Sequence, residues 1–211
     1  VGAWFGCENI FNREIEKAWE TNIEKIKFPD KKNKTWQKYV DEKRLEITCG
    51  EAPYLVSRYD TVSGEPLELK DRIGMLDRKM RVVCENTYSE TEWLKWSERA
   101  FQSVYGFEFQ GDSLLIAREN LLASYCDYME DKLNRQPTEK ELINIAKIIS
   151  WNLWQMDGLT YTIPYEKAVE PIEQITLFDF QEKDKKSLCI IKDWRAKRIY
   201  TFQDLVNKGG K

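Results

Sequence analysis

The sequence predicts an α/β domain on a mostly parallel sheet flanked by helices, and three observations carry that expectation. A short apolar and aromatic run, Ser103 to Phe109, reads as a buried strand whose one charge, Glu108, stands near its carboxyl end. A long helical pattern follows at once: behind the Gly111-Asp112-Ser113 turn, Leu115, Leu122, Tyr125, Met129 and Leu133 recur on one face. Strand-like and helix-like segments then alternate along the chain, with further strands read at Leu45 to Cys49 and Asn152 to Asp157. A strand, an acid at its tip and a long helix is how open α/β sheets present a carboxylate to a ribose. Taken alone, Glu108 reads rather as a solvated charge at a strand end.

In chain order, residues 1–40 predict an N-terminal helical segment, with a helix from Asn12 to about Ile26, apolar at Ile15, Ala18, Trp19, Ile23 and Ile26. Residues 41–211 form the α/β core, and the whole of 1–211 reads as one domain. Pro29 to Lys34 is a basic loop, a phosphate contact or a solvated lysine run. The Leu45 to Cys49 strand ends at Gly50, in a stretch of small residues where backbone and ligand approach closely. Ile73, Leu76, Met80 and Val83 predict a helix from Leu69, and Arg72, Arg78, Lys79 and Arg81 give it a basic side. That side is either a DNA-facing surface or a solvated face. Ser89 to Glu92 resembles a capping box opening a helix over Glu90 to Ser103. Pro137 breaks the long central helix, and Thr138 with Glu141 restarts the chain in another. Thr160 to Gln181 is loop-like, Leu188 to Ile191 reads as a fourth strand, and a short helix lies near Leu205.

Composition narrows the chemistry. The 211 residues include no histidine, which removes Ser–His–Asp triads, histidine bases and the commonest metal ligand. Five scattered cysteines without a CxxC pair point to reduced thiols in a cytoplasmic protein, not to disulfides or zinc. No apolar run reaches the roughly 18 residues of a membrane span. A net charge of −3 gives no global attraction to nucleic acid, so DNA would need a local basic patch.

Three acids at strand ends, in order, carry a resemblance. The chain resembles the cofactor half of adenine-specific, S-adenosylmethionine-dependent DNA methyltransferases of restriction-modification systems, and the phage or prophage proteins described as their methylation subunits. The family's first motif, an acid, Pro, two residues and Gly-x-Gly-x-Phe, corresponds to Glu46 through Tyr54, with Ile47 for the Pro and Ala52 for the second Gly. The second, a strand-end acid before a helix, is Tyr105-Gly106-Phe107-Glu108. The third is Asn152 through Leu159, holding Asp157. The resemblance implies a Rossmann-like methyltransferase fold with S-adenosylmethionine as cofactor. Glu46, Cys49 and Gly50 would lie near its methionine part, Glu108 on its ribose hydroxyls and Asp157 on its adenine amine. For Asp157 a plain turn acid before Gly158 is the alternative.

The fourth motif, a polar residue followed by Pro-Pro and an aromatic, holds the flipped base in this family. No Pro-Pro occurs in the chain. Its remnants are Asp193 with Trp194, at the end of the fourth strand, and Tyr165 in Thr162-Ile163-Pro164-Tyr165, each with a surface or loop reading beside it. The resemblance therefore implies an atypical methyltransferase or methylation subunit acting on DNA, with a partner subunit. A non-catalytic protein of the same shape, binding a host defence or restriction complex, is the alternative.

Overall fold

The computed structural model describes residues 11–15, 18–28, 34–60, 62–165 and 187–209. The chain enters through an antiparallel hairpin of β1 (Asn12–Ile15) and β2 (Ala18–Thr21), paired from Asn12↔Thr21 to Ile15↔Ala18. This corrects the helix expected over Asn12 to Ile26. The 3–4 spacing of apolar residues there is not a buried stripe: Ile26 is buried, but Ile23 is 83% exposed. Past the hairpin the chain runs extended, and the Ile26 N–H donates to Glu85. The basic stretch at residues 29–33 lies outside the described residues. A short helix, α1 (Trp36–Asp41), follows under its N-cap Thr35.

Three parallel strands form the centre. They are β3 (Arg44–Ile47), β4 (Val104–Glu108) and β5 (Leu153–Gln155), side by side in that order. Register pairs Glu46 with Gly106, then Gly106 with Leu153 and Glu108 with Gln155. The first crossover holds α2 (Met75–Asn86) and α3 (Glu90–Gln102); the second holds α4 (Gly111–Leu133) and α5 (Glu139–Asn152). The connection between the first two strands, residues 48–103, is long because an extended loop over 48–74 precedes the two helices. Of the helix expected from Leu69, only Met75 onward is α-helical; Leu69–Asp71 is a single 3-10 turn.

The pleat sorts β4 into two cores. Val104 joins Leu153 and the buried stripes of the four helices, among them Leu76, Trp93, Leu121 and Ile148. Phe107 points to the opposite face, where it packs with Met156, Cys189 and Phe202. Gly106 sits in a crowded place: a Cβ there would meet Cys49 Sγ at 3.1 Å and Leu153 Cγ at 3.3 Å.

The layer over that second face is a hairpin and a short helix. β6 (Ile190–Asp193) pairs antiparallel with β7 (Arg198–Thr201), and α6 (Phe202–Gly209) follows. The fourth strand expected at Leu188 to Ile191 therefore does not extend the parallel sheet. It starts two residues later and lies across the sheet face, with the Tyr105 hydroxyl donating to the Lys192 carbonyl.

Helix ends follow the sequence in part: Gly111, Asp112 and Ser113, read as a turn, are already the first turn of α4, which has Gln110 before it and no side-chain cap. Asn134 closes α4 in the left-handed region (φ 54°), and Thr138 opens α5 in a reciprocal capping box with Glu141. The basic side expected on α2 is neither a DNA surface nor a solvated face. Lys79 is fully buried, donating to the Val40 and Glu42 carbonyls at the end of α1 and to the Ser103 hydroxyl. Arg72 pairs with Asp127, Arg81 with Glu85, and Arg78 lies over the Phe11 ring.

Candidate functional site

Ligands of open α/β sheets bind outside the carboxyl ends of the strands. At that rim Glu108 ends β4, the middle strand. Its Oε2 accepts the Gly50 N–H at 2.7 Å, and its Oε1 accepts the N–H groups of Phe109 (2.9 Å) and Gln110 (3.0 Å). A carboxylate has about four acceptor positions, and these three donors leave one. The N-terminus of the 23-residue helix α4 begins just beyond, and its positive end favours an anion or an acceptor-rich ligand there.

The turn that Glu108 holds is built from unusual backbone. Thr48 (φ 55°), Gly50 (φ 54°) and Ala52 (φ 63°) all sit in the left-handed region. Two of them carry a Cβ, a strain of about 1–3 kcal/mol each that persists where surrounding contacts over-determine the chain. Here those contacts are the Glu108–Gly50 bond, the Cys49 N–H to the Phe107 carbonyl at 3.0 Å and the Ala52 N–H to the Cys49 carbonyl at 2.7 Å. Among the described residues, chain neighbours aside, no atom lies within 4 Å of a Cβ built on Gly50, so none of them fills the space before it. Glycine is needed here for its φ.

Around the rim, Gln155 Nε2 donates to the Phe109 carbonyl at 2.8 Å, and the Tyr165 ring meets Phe109 edge-on at 5.6 Å. Tyr165 is 74% exposed. Asp157 lies two residues past β5, where its Oδ1 accepts the Leu159 N–H at 2.8 Å and the Thr160 N–H at 3.3 Å. It thus does the work of a turn acid, at the same end of the sheet as Glu108. The sequence reading missed Phe109 and Gln155. An exposed ring directly after a strand-end acid was the signal for the first; nothing local distinguishes the second.

Two members of the expected cofactor set stand apart. Cys49 shares the turn through its backbone, but its side chain is buried, and burial, with Glu46 and Glu108 nearby, pushes its thiol up to about 12, away from the reactive thiolate. Glu46 faces the helix layer and lines a groove along the outer edge of β3, lined by neither Gly50 nor Glu108. Burial pushes its carboxyl up to about 7, against the opposing pull of the Tyr54 and Leu55 backbone N–H groups.

Asp193 and Trp194 are at the other end of the sheet. Asp193 pairs with Lys43, just before β3 begins, at 2.6 Å, and caps its own turn by accepting from Arg195 and Ala196. Trp194 Nε1 donates to Asn152 Oδ1 at 2.7 Å, beside the start of β5, and Lys192 Nζ lies 3.9 Å over its ring. The sheet thus separates this pair from Glu108: the chain passes from Cys189, against the Gln155 carbonyl at the end of β5, to Asp193, against Lys43 before the start of β3. Of the expected base-holding residues, only Tyr165 shares the Glu108 rim.

Among the described residues, no three His, Cys, Asp or Glu side chains come together as a metal site needs, and no helix is long and apolar enough to cross a membrane. No protein-family model, curated protein or solved structure matches the chain.

Proposed function

We propose that this chain is a methyltransferase-type, S-adenosylmethionine-binding domain that holds the cofactor at the carboxyl ends of β3, β4 and β5. The observation that supports the reading most is Glu108: a strand-tip carboxylate with one acceptor position left, facing an open glycine turn. In this reading a ribose hydroxyl takes the remaining position on Glu108, and the open face of Gly50 admits the chain of the methionine part. The exposed Phe109 and Tyr165 rings offer surfaces for the adenine. Asp157, whose Oδ1 serves its own turn at the same end of the sheet, lies on the side of the adenine amine in this reading. The cofactor would supply the transferable methyl group, and the residues at the rim bind and orient it.

Transfer to the amine of a DNA base is a further step, and Asp193 and Trp194 do not support it from the far end of the sheet. The reading is therefore of a cofactor-binding domain of the adenine-methyltransferase type, completed for DNA by a partner subunit. A non-catalytic modulator of a restriction complex is the second reading, favoured by that same displacement. Calorimetric titration with S-adenosylmethionine tests the first. Binding is expected, weakened about tenfold or more by Glu108→Gln, the scale of losing one charge-assisted hydrogen bond. No binding to folded wild-type chain would move the conclusion to the second reading. Labelled methyl transfer to duplex DNA by these residues alone is expected to be undetectable, and unchanged by Asp193→Ala.

A further inference from the structure

Three consecutive residues of β3, namely Leu45, Glu46 and Ile47, line one cavity of about 770 Å³. Successive strand residues point to opposite faces, so a cavity touching all three runs along the strand's edge. That edge is open. The Arg44 N–H donates to the Ser103 carbonyl beside β4, so the alternate residues Leu45 and Ile47 turn their backbone groups outward. The Ile47 carbonyl takes the Thr48 hydroxyl; among the described residues the Leu45 and Ile47 N–H groups meet no partner strand. The opposite wall is Tyr54, Ile73, Met75 and Arg78, at and before the start of α2.

Glu46 sets the chemistry of the occupant. It is only 8% exposed, and its Oε2 is buried without a hydrogen-bond partner. Left so, the buried group either keeps its proton or takes a cation beside it, and a cation favours the charged form. Asp60 and Asp71 line the same groove, and among the described residues Arg78 is its one cation, with an Nε that also lacks an acceptor. We propose that the outer edge of β3 takes an extended peptide of a partner protein as a fourth strand, with a lysine or arginine of that peptide paired to Glu46. The alternation fixes the motif. The basic residue lies on the helix side beside Glu46, and its two neighbours fall on the other face beside Leu45 and Ile47, which are 42% and 53% exposed. The peptide pattern is apolar–basic–apolar, β-branched for preference, with main-chain bonds supplying affinity and the Glu46 position supplying specificity. This strand addition is independent of the cofactor reading, since it uses neither Glu108 nor Gly50.

The test is selection of the full chain, without S-adenosylmethionine, against a phage-displayed library of random nonapeptides. Enriched sequences are expected to share a lysine or arginine between apolar residues. The best, made synthetically, should bind Glu46→Gln at least tenfold more weakly, lose binding when N-methylated at alternate residues, and slow hydrogen exchange at the Leu45 and Ile47 amides. Circular dichroism of Glu46→Gln confirms that the variant folds. The proposal is overturned by no enrichment, by enriched peptides without a basic residue, or by equal binding to Glu46→Gln. It is overturned too if the Leu45 and Ile47 amides are already protected in the free chain, or protected only as the chain dimerises.

Discussion

Glu46 and Lys79 show how one buried charge differs from another. Lys79 is fully buried, and burial holds its pKa well below the usual lysine value, yet three acceptors surround its ammonium. It caps the carbonyl end of α1 and ties it to the start of β4. Replacing it with Met strands those acceptors, and urea unfolding of Lys79→Met should show a loss of about 2–4 kcal/mol. Glu46 has no such set of partners. Its carboxyl rises from 4.5 to about 7 on folding, so between those values the folded chain keeps a proton that the unfolded chain releases. Stability from this group therefore falls as pH rises from about 4.5 to 7, and the cost is complete above it. Glu46→Gln should flatten that slope and raise stability at pH 8 by up to about 3 kcal/mol, read as the urea midpoint at several pH values. A variant less stable than wild type at pH 8 would show that Oε2 has a partner in solution.

At the scale of elements, the signals that were legible are local. The Ser103 to Phe109 run became β4, and Thr138 with Glu141 opened α5, because turn and cap chemistry act within a few residues. Thr138→Ala should cost about 1 kcal/mol in thermal or urea unfolding. Gly106→Ala tests the sheet: its Cβ would press on Cys49 Sγ and Leu153 Cγ, and about 1–3 kcal/mol of overpacking cost is expected. What was not legible depends on distant partners. The spacing of Ile15, Ala18 and Ile26 suits a helix, yet β1 pairs with β2 instead. The direction of β6 across the sheet carries no local mark, and it alone decides that Asp193 lies far from Glu108. Of the candidate site, Glu108 and Gly50 were legible as a strand-end acid and a turn glycine; their mutual hydrogen bond was not.

For the molecule as a whole, the two ends of one three-stranded sheet carry different work. The amino end is an internal junction, where Lys43, Asp193, Trp194 and Asn152 bind one another. At the carboxyl end a strained turn, a strand-tip carboxylate, a helix N-terminus and two exposed rings meet open space. The central claim is that S-adenosylmethionine binds at that second end. Amide chemical shifts of the isotope-labelled chain during titration with S-adenosylmethionine test it most directly. The account predicts saturable shifts of Gly50, Phe109 and Gln110, with Arg195 and Ala196 unmoved. Shifts centred on Arg195 and Ala196, or none at all at saturating cofactor, would contradict it.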